Sequence, residues 1–274
     1  MEEAYLKIAV TAALHAGNDI LKIYNDPQSD FQIEKKADNS PLTIADKAAH
    51  KTIVSYLEQT PFPVLSEEGK NIPYEKRKKW ADLWIVDPLD GTKEFIKRNG
   101  EFTVNIARIH EGVPVLGVIY IPVRKTLYFA SEPTGAFKIS DIEYSDALQW
   151  DEIVARSRKL PLPETHDGTV IVASRSHLSP ETEAFIEEIK ARKGNVELIS
   201  SGSSIKICLV AEGTADIYPR FAPTMEWDTA AGHAIAKGAG KEIYHASTQE
   251  PLRYNKADLL NAWFIVEPER KQEH

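Results

Sequence analysis

Apolar residues recur at helical spacing at the start of the chain. Between residues 4 and 24 they return every three or four positions, which predicts an amphipathic helix. Asn25, Asp26 and Pro27 follow directly and are expected to end it. A second helix is predicted over 44–58, after the polar segment EKKADNSPLT, which is predicted to be a loop. The chain is therefore expected to open with two helices separated by a loop.

The rest of the first half contains short apolar runs that are typical of strands. In chain order these runs are VLS, LWIVD, TVNIARI, PVLGVIYIP, TLYFA and GAFKI. Several follow one another at hairpin spacing, so the first half is predicted to place two helices on an antiparallel sheet.

The second half alternates between strand and helix patterns. Strands are predicted at TVIVAS, VELIS, ADIYP, EIY and WFIVEP. Helices are predicted to start at Ser179-Pro180, near Ser203 and at WDTAAGHAIAKGAG, and Gly213 is expected to end the middle one. Such alternation favours βαβ units and a mixed sheet covered by helices. The whole is predicted to be a layered α/β protein.

Two halves are expected, with a boundary where charged residues and prolines accumulate over 141–165. Residues 1–145 would form an α+β half that carries most of the acidic candidate ligands. Residues 146–274 would form an α/β half that carries Asp228 and the candidate substrate-binding residues. We treat the two halves as a single unit over the whole chain.

Composition restricts the class of protein. Of 274 residues, 42% are hydrophobic and 27% charged, which is ordinary for a globular enzyme. No apolar run approaches the roughly 18 residues of a membrane span, and the start lacks the basic region of a secretory signal, so a cytoplasmic protein is expected. The only cysteine, Cys208, excludes a disulfide framework. A formal net charge of −8 argues against binding to nucleic acid polymers, and an anionic substrate would need bound cations.

The segment LWIVDPLDGTKEF, residues 83–95, is the strongest chemical signal in the chain. An apolar strand delivers Asp87 at its end, Pro88 is expected to stop the strand ladder, and Asp90 follows before a Gly-Thr turn. Two carboxylates on such a turn can face one pocket. The alternative is a plain turn, in which Asp caps and Gly relaxes the backbone, but the complete unit argues against it.

Three further acidic sites are ordinary when each is taken alone. Glu67 and Glu68 follow the strand VLS and suit a solvated loop, while Asp228 suits a helix N-cap. Asp46 forms a capping-box pattern with Thr43. Together, however, these acids lie at strand ends and helix starts, where sites cluster in α/β folds. Two carboxylates about 4 Å apart repel by roughly 4 kcal/mol at an effective dielectric of about 20, so their convergence would require cations. Oxygen ligands without a His/Cys cluster favour Mg²⁺ and metal-assisted phosphoester hydrolysis.

A set of five segments resembles the inositol monophosphatase superfamily, over nearly the whole chain. The segments are SPLTIAD, VLSEEG, WIVDPLDGTKEF, GSSIKICLVAEGTADIYPR and WDTAAGH. Within that superfamily, residues 93–95 together with Ser203, Lys206 and Arg220 make the chain most similar to bacterial 3′(2′),5′-bisphosphate nucleotidases. The resemblance implies a layered αβαβα sandwich of the inositol monophosphatase and sugar phosphatase type. It also implies Mg²⁺-dependent, lithium-sensitive hydrolysis of adenosine 3′,5′-bisphosphate to AMP and phosphate, linked to sulfur assimilation.

The resemblance implies roles for individual residues as well. Two to three Mg²⁺ ions would be held by Glu67, Asp87, the carbonyl of Leu89, Asp90 and Asp228. The catalytic residues would be Asp46, Glu67 and Thr92, with Asp46 orienting the Thr92 hydroxyl toward the attacking water. The implied contacts with the substrate are Glu67, Asp90, Gly91, Thr92, His177, Ser203, Lys206, Arg220 and Asp228. We further expect Lys35 and Lys36 to lie in a loop that closes over the substrate.

Alternatives remain open at this point. The same fold could act on inositol monophosphate or fructose 1,6-bisphosphate, and the chain could be a catalytically silent ligand-binding relative. A phosphatase of the haloacid dehalogenase type is disfavoured because D-x-x-D-G-T is one residue longer than that family's D-x-D-G-T. The expected partner is a small phosphate ester, with no nucleic acid polymer and no obligate protein partner. The oligomeric state would be monomer or homodimer, and the resemblance also allows peripheral association with the inner membrane.

Overall fold

Helices and sheets alternate in five layers in the computed structural model, which describes residues 2–36, 41–163, 166–174 and 179–270. The helices are α1 Glu2–Tyr24, α2 Ile44–Leu57, α3 Tyr74–Arg77, α4 Thr92–Ile96, α5 Trp150–Arg156, α6 Pro180–Lys193, α7 Ile205–Glu212 and α8 Glu226–Gly238. The first nine strands are β1 Glu34–Lys35, β2 Pro41–Leu42, β3 Val64–Ser66, β4 Asp82–Asp90, β5 Thr103–His110, β6 Val113–Ile121, β7 Thr126–Ser131, β8 Gly135–Ile139 and β9 Arg158–Lys159. The remaining strands are β10 Thr169–Ala173, β11 Val196–Ser200, β12 Tyr218–Arg220, β13 Lys241–His245 and β14 Phe264–Pro268.

The two predicted N-terminal helices are confirmed and form the first layer. The buried stripe of α1 includes Ala9, Ala13 and Ala16, small residues that allow α1 and α2 to approach closely. The capping box at the start of α2 is also confirmed. The Thr43 hydroxyl accepts from the Ala45 N–H at 3.2 Å, and Asp46 Oδ2 accepts from the Thr43 N–H at 2.8 Å.

The second layer is a seven-stranded sheet in the order β3-β4-β5-β6-β7-β8-β9. The prediction that this sheet is antiparallel throughout was wrong at one edge, because β3 pairs with β4 in parallel. A parallel pair needs a crossover connection, which residues 67–81 and α3 provide. The remaining pairs in the sheet are antiparallel.

Both faces of this sheet are buried, which explains why its strands read as continuous apolar runs. Trp84 and Val86 pack with α1 and α2, whereas Leu83 and Ile85 pack with α7 and α8. Helix α8 lies so close to β6 that a Cβ on Gly117 would be 2.3 Å from the Ala231 carbonyl oxygen. The absence of a side chain at this one position therefore brings the Asp228-bearing helix against the sheet.

Helices α7 and α8 form the third layer, and a set of short strands forms the fourth. Strands β10 and β11 pair in parallel, β12, β14 and β13 pair antiparallel, and a bridge between Ile171 and Ile217 joins the two groups. Helix α6 packs outside them as the fifth layer, with Ile186 and Ile189 buried. Its predicted start is confirmed, since Ser179 Oγ accepts from the Thr182 N–H at 3.2 Å. The αβαβα fold expected from the sequence is thus confirmed.

Three short helices, α3, α4 and α5, were not predicted. Helices of four to seven residues are marginal without tertiary support and leave little periodicity in the sequence. The segment predicted to be a loop before α2 carries the short antiparallel pair of β1 and β2. The boundary between halves at 145/146 stays a prediction. One buried cluster contains residues from both sides of it, so the two halves share a core. Among the described residues, no helix is long and apolar enough to cross a membrane.

Candidate active site

A bulge at the end of β4 presents the first two carboxylates. Asp87 pairs with Asn105 on β5 and Asp90 pairs with Thr103, with a register shift between them. Contrary to the prediction from the sequence, the strand therefore does not stop at Pro88. It continues past a bulge, where a proline without an N–H is tolerated. The extra residue turns both aspartates toward the same region of the protein.

The third carboxylate comes from the first turn of α8. Asp228 was expected at the head of this helix, and the alternative that it is merely the N-cap does not hold, because α8 begins at Glu226 and its N-cap is Met225. Asp228 lies at the third helical position, from which its Oδ2 accepts the Met225 N–H at 2.8 Å. One oxygen from each of Asp87, Asp90 and Asp228 lies within 4.8 Å of the others. The fold thus brings together three acids that are up to 141 positions apart in the chain.

Burial and mutual repulsion raise the pKa of each of these acids. Burial raises the pKa of Asp87 well above its usual range, and the charges of Glu67, Asp90 and Asp228 add to it. Burial also raises the pKa of Asp90 to about 6, although Lys206 and the Ser204 N–H oppose the shift. The pKa of Asp228 is raised in the same way, by burial and then by Asp90. Three carboxylates that repel one another, that of Asp87 buried and the other two partly buried, fit a divalent cation, so the cluster could hold a metal.

We expect the chelated protein to lose stability as the pH rises from about 4 to about 6, the interval between the ordinary and the raised pKa of Asp90. Over that interval the folded state keeps a proton that the unfolded chain has released. The stabilisation is complete below the ordinary pKa of 3.8 and is lost as the pH rises through the folded value. Thermal melts in EDTA across this range, for wild type and Asp90→Asn, measure the effect. A difference between the two that does not change with pH would contradict it.

Glu67 lies directly after β3, beside the cluster. Its backbone N–H donates to the Val86 carbonyl at 3.1 Å, which fixes it against β4. Its carboxylate accepts from Lys36 Nζ at 2.7 Å, and Lys36 also pairs with Glu68. Burial lowers the pKa of Lys36, but the charges of Glu67 and Glu68 outweigh burial and raise it overall. The expected closure of Lys35 and Lys36 over a substrate stays a prediction, since Lys36 here contacts the two glutamates.

Thr92 begins α4 and is held by Asp46. The Thr92 hydroxyl donates to Asp46 Oδ1 at 3.1 Å and lies 3.3 Å from the Leu89 carbonyl oxygen. Gly91 precedes it with φ +94°, a conformation that favours glycine and lets the chain pass from strand to helix within one residue. Burial raises the pKa of Asp46, although its hydrogen bonds with Thr43 lower it. Thr92 therefore presents a hydroxyl whose proton is already directed to a carboxylate.

A cavity of about 410 Å³ opens beside the cluster and is lined by Asp90 and Asp228 at one end. Lys206 lies in its wall, buried, with Nζ 2.8 Å from the Ser203 carbonyl oxygen and 5.4 Å from the centre of the Tyr218 ring. Burial lowers the pKa of Lys206 to about 8 even though Asp90 raises it. The cavity wall thus combines a buried cation with three carboxylates, those of Asp90, Asp228 and Glu94.

Two buried atoms in the cavity wall have no hydrogen-bond partner among the described residues, namely Ser203 Oγ and Arg220 Nε. Arg220 uses another nitrogen, Nη2, to donate to the Pro223 carbonyl at 3.2 Å. Buried polar atoms are usually satisfied, so each exception needs a partner. A ligand in the cavity would supply one. A second cleft, lined by Glu67, Gly91 and Thr92, shares Asp90 and Asp228 with the cavity.

The structure therefore brings together most of the residues selected from the sequence. His177 lies outside the described residues. Sequence reasoning missed Thr103, Asn105 and Ser204, which contact Asp90 or one another. A signal existed for the first two, because they are polar residues at i and i+2 with apolar residues on either side of Asn105, and so share one face of the strand.

Comparisons with known proteins agree with this geometry. A model of the inositol monophosphatase family matches residues 1–274. The 3′(2′),5′-bisphosphate nucleotidase CysQ of Escherichia coli (strain K12) is 44% identical over 257 residues, 93% of this chain and 96% of that protein. Its namesake in Salmonella typhimurium is 45% identical over 257 residues, with the same coverage. The crystal structure of CysQ from Bacteroides thetaiotaomicron, a bacterial member of the inositol monophosphatase family, has a TM-score of 0.91 and 63% identity, and the match covers 98% of each chain.

The resemblance inferred from the sequence is thus confirmed. A full-length family match, relatives at these identities over nearly their whole length, and an acidic cluster at the expected strand and helix ends lead to one conclusion. This chain belongs to the inositol monophosphatase family.

Proposed function

We propose that this chain is a Mg²⁺-dependent 3′(2′),5′-bisphosphate nucleotidase that hydrolyses adenosine 3′,5′-bisphosphate to AMP and phosphate. The observation that carries the proposal is the position of the acidic cluster at one end of a cavity that also contains Lys206, Ser203 and Arg220. An enzyme of this kind would act in the cytoplasm in sulfur assimilation. It would need no protein partner, in agreement with the small phosphate esters that its relatives' names describe.

The metal ligands we propose are Glu67, Asp87, the Leu89 carbonyl, Asp90 and Asp228. Mg²⁺ is the proposed ion because every donor is a hard oxygen and because the cluster contains no His or Cys. Bound there, Mg²⁺ would supply Lewis acidity at the phosphate and lower the pKa of a water molecule. The pKa values of Asp87 and Asp228, raised by burial and neighbouring charge, support this assignment, because a cation relieves the repulsion that raises them.

Thr92 and Asp46 are proposed to accept the proton of the attacking water. Since the Thr92 hydroxyl donates its own proton to Asp46 Oδ1, its lone pairs are free to accept one from water. Asp46 can take up the proton that Thr92 passes on, and burial raises its pKa in the direction this requires. The water oxygen then bonds to phosphorus, the ester P–O bond breaks, and the leaving oxygen takes a proton from solvent water, with no covalent enzyme intermediate. Gly91 and Thr92 N–H groups are proposed to contact the phosphate.

The second phosphate of the nucleotide is proposed to bind in the 410 Å³ cavity. Lys206 and Arg220 supply two cations there, and Arg220 can offer its unpartnered Nε. Ser203 Oγ, also without a partner, can donate to a phosphate oxygen. His177 stays a predicted contact. A substrate with a single phosphate would leave these groups without an anion, which favours a bisphosphate over inositol monophosphate.

The proposal is tested by phosphate release from adenosine 3′,5′-bisphosphate, inositol 1-phosphate and fructose 1,6-bisphosphate. Each substrate is assayed with Mg²⁺, with EDTA, and with Mg²⁺ plus Li⁺. We expect a strong preference for the nucleotide, loss of activity in EDTA, and inhibition by Li⁺. The family resemblance is the reason for expecting inhibition by Li⁺.

Other outcomes would reject separate parts of the proposal. A preference for another ester with the same metal dependence would retain the metal mechanism and reject the nucleotide pocket. Activity that survives EDTA would reject the metal role of the acidic cluster. A trapped phosphoenzyme would reject direct attack by water, and the absence of turnover on every ester would indicate a silent relative.

A further inference from the structure

Three buried polar side chains form a cluster against Asp90. Thr103 and Asn105 lie on β5, and Ser204 lies in the turn before α7, with exposed fractions of 0, 1 and 3%. Thr103 Oγ1 is 2.7 Å from Ser204 Oγ, and the two hydroxyls lie 3.0 and 2.9 Å from Asn105 Oδ1. Burying polar groups in a core is unfavourable unless they are hydrogen-bonded, and these three satisfy one another. The cluster joins strand β5 in the first half of the chain to the turn that carries Ser203.

The Asn105 amide bridges Asp90 and the two hydroxyls. An ionised carboxylate only accepts hydrogen bonds, so the NH₂ group turns toward Asp90, where Nδ2 lies 3.5 Å from Oδ2. Oδ1 then faces Thr103 and Ser204, whose hydroxyls can donate to it. The contact with Asp90 is long, and the hydroxyls hold the amide in this orientation.

The two carboxylate oxygens of Asp90 differ in their hydrogen-bond partners. The Ser204 backbone N–H donates to Oδ2 at 2.6 Å, and the Asn105 amide approaches the same oxygen. Among the described residues no group donates a hydrogen bond to Oδ1 of Asp90. The donors therefore hold the carboxylate by one oxygen and leave the other available to a cation.

We propose that Asn105 is a positioning residue for Asp90, and that the hydroxyls of Thr103 and Ser204 hold its amide in place. This inference rests on the proposed function, since it takes Asp90 to be a metal ligand. The expected consequence is metal affinity, because hydrogen-bond partners of a ligand orient it before the ion binds. The cluster also links the metal site to the substrate cavity, because Ser204 follows Ser203 in the turn and precedes Lys206, which lies in the first turn of α7.

The test compares Asn105→Ala with the matched pair Thr103→Val and Thr103→Ser. Valine keeps the shape of threonine without the hydroxyl, whereas serine keeps the hydroxyl. Mg²⁺ binding is measured by isothermal titration calorimetry without substrate, alongside the melting temperature in EDTA and the Mg²⁺ dependence of phosphate release. We expect Asn105→Ala to weaken Mg²⁺ binding roughly tenfold. Thr103→Val should weaken Mg²⁺ binding by a smaller factor, and Thr103→Ser should bind Mg²⁺ as wild type does. Saturating Mg²⁺ should restore most of the turnover of the weakened variants.

A purely structural role would lower the melting temperature without changing Mg²⁺ affinity, and that result would overturn the inference while leaving the proposed function intact. If Asn105→Ala does not fold, the two Thr103 variants provide the test. Equal Mg²⁺ affinity in Thr103→Val and Thr103→Ser would also overturn the inference. Wild-type protein that binds no Mg²⁺ would instead reject the proposed function, and this inference with it.

Discussion

Asp90→Asn is expected to abolish nearly all phosphate release while the protein stays folded. Asparagine keeps the shape of aspartate and can still accept from the Ser204 N–H. It removes one of three carboxylate charges that lie within 4.8 Å of one another. A metal ion at a phosphoryl centre contributes several kcal/mol of transition-state stabilisation, so its weakened binding should lower kcat/KM by roughly a hundredfold or more. The measurement is kcat/KM for adenosine 3′,5′-bisphosphate over a range of Mg²⁺ concentrations.

The variant also gives a control for folding within the same experiment. Because Asp90 carries a pKa raised by burial, removing its charge should leave the chelated protein at neutral pH at least as stable as wild type. A surface substitution of the same kind, Asp151→Asn in the first turn of α5, should change neither rate nor Mg²⁺ dependence. Near-normal turnover of Asp90→Asn at saturating Mg²⁺ would show that Asp90 is not a metal ligand.

Arg220→Ala is expected to raise KM for adenosine 3′,5′-bisphosphate far more than KM for inositol 1-phosphate. Its guanidinium lines the cavity, and its Nε has no hydrogen-bond partner among the described residues. A hydrogen bond to a charged group contributes about 1.5–3 kcal/mol, which corresponds to roughly a 10- to 150-fold change in KM. Inositol 1-phosphate has no second phosphate to lose this contact, so its KM serves as the internal reference.

Arg220→Lys separates charge from geometry at the same position. Lysine keeps the cation but cannot present two parallel N–H groups, so its KM for the nucleotide should lie between wild type and alanine. Both variants are assayed on both substrates at saturating Mg²⁺. An equal rise in KM for the two substrates would place Arg220 outside the nucleotide pocket and indicate a general effect on the fold near β12.

The local sequence predicted the elements whose stability is local. Helix α1 was evident from its apolar periodicity, α2 from the pairing of Thr43 with Asp46, and α6 from Ser179 and the proline after it. These signals involve residues within about one turn of each other, where capping and amphipathic patterning act. The first part of β4 was evident for the same reason, since the apolar run over 83–86 is uninterrupted.

The errors occurred where a partner distant in sequence determines the local structure. Pairing of Asp90 with Thr103 extends β4 past Pro88, which by itself would end a strand. Pairing of Val64–Ser66 with β4 makes one edge of the sheet parallel. Such pairings depend on which strands become neighbours, and the pattern within a single strand does not record that.

The sequence alone therefore predicted which residues carry the chemistry, while the tertiary structure decided how three of the predicted acids meet. The acids were recognisable because a D-x-x-D-G-T unit after an apolar strand has few other uses. That Asp228 reaches Asp90 depends on the close contact of α8 with β6 at Gly117. That the Asn105 amide is held between Asp90 and two hydroxyls depends on Ser204, 99 residues away in the chain. Burial and repulsion, which raise the pKa values of the acids, arise only when packing brings these distant groups into one space.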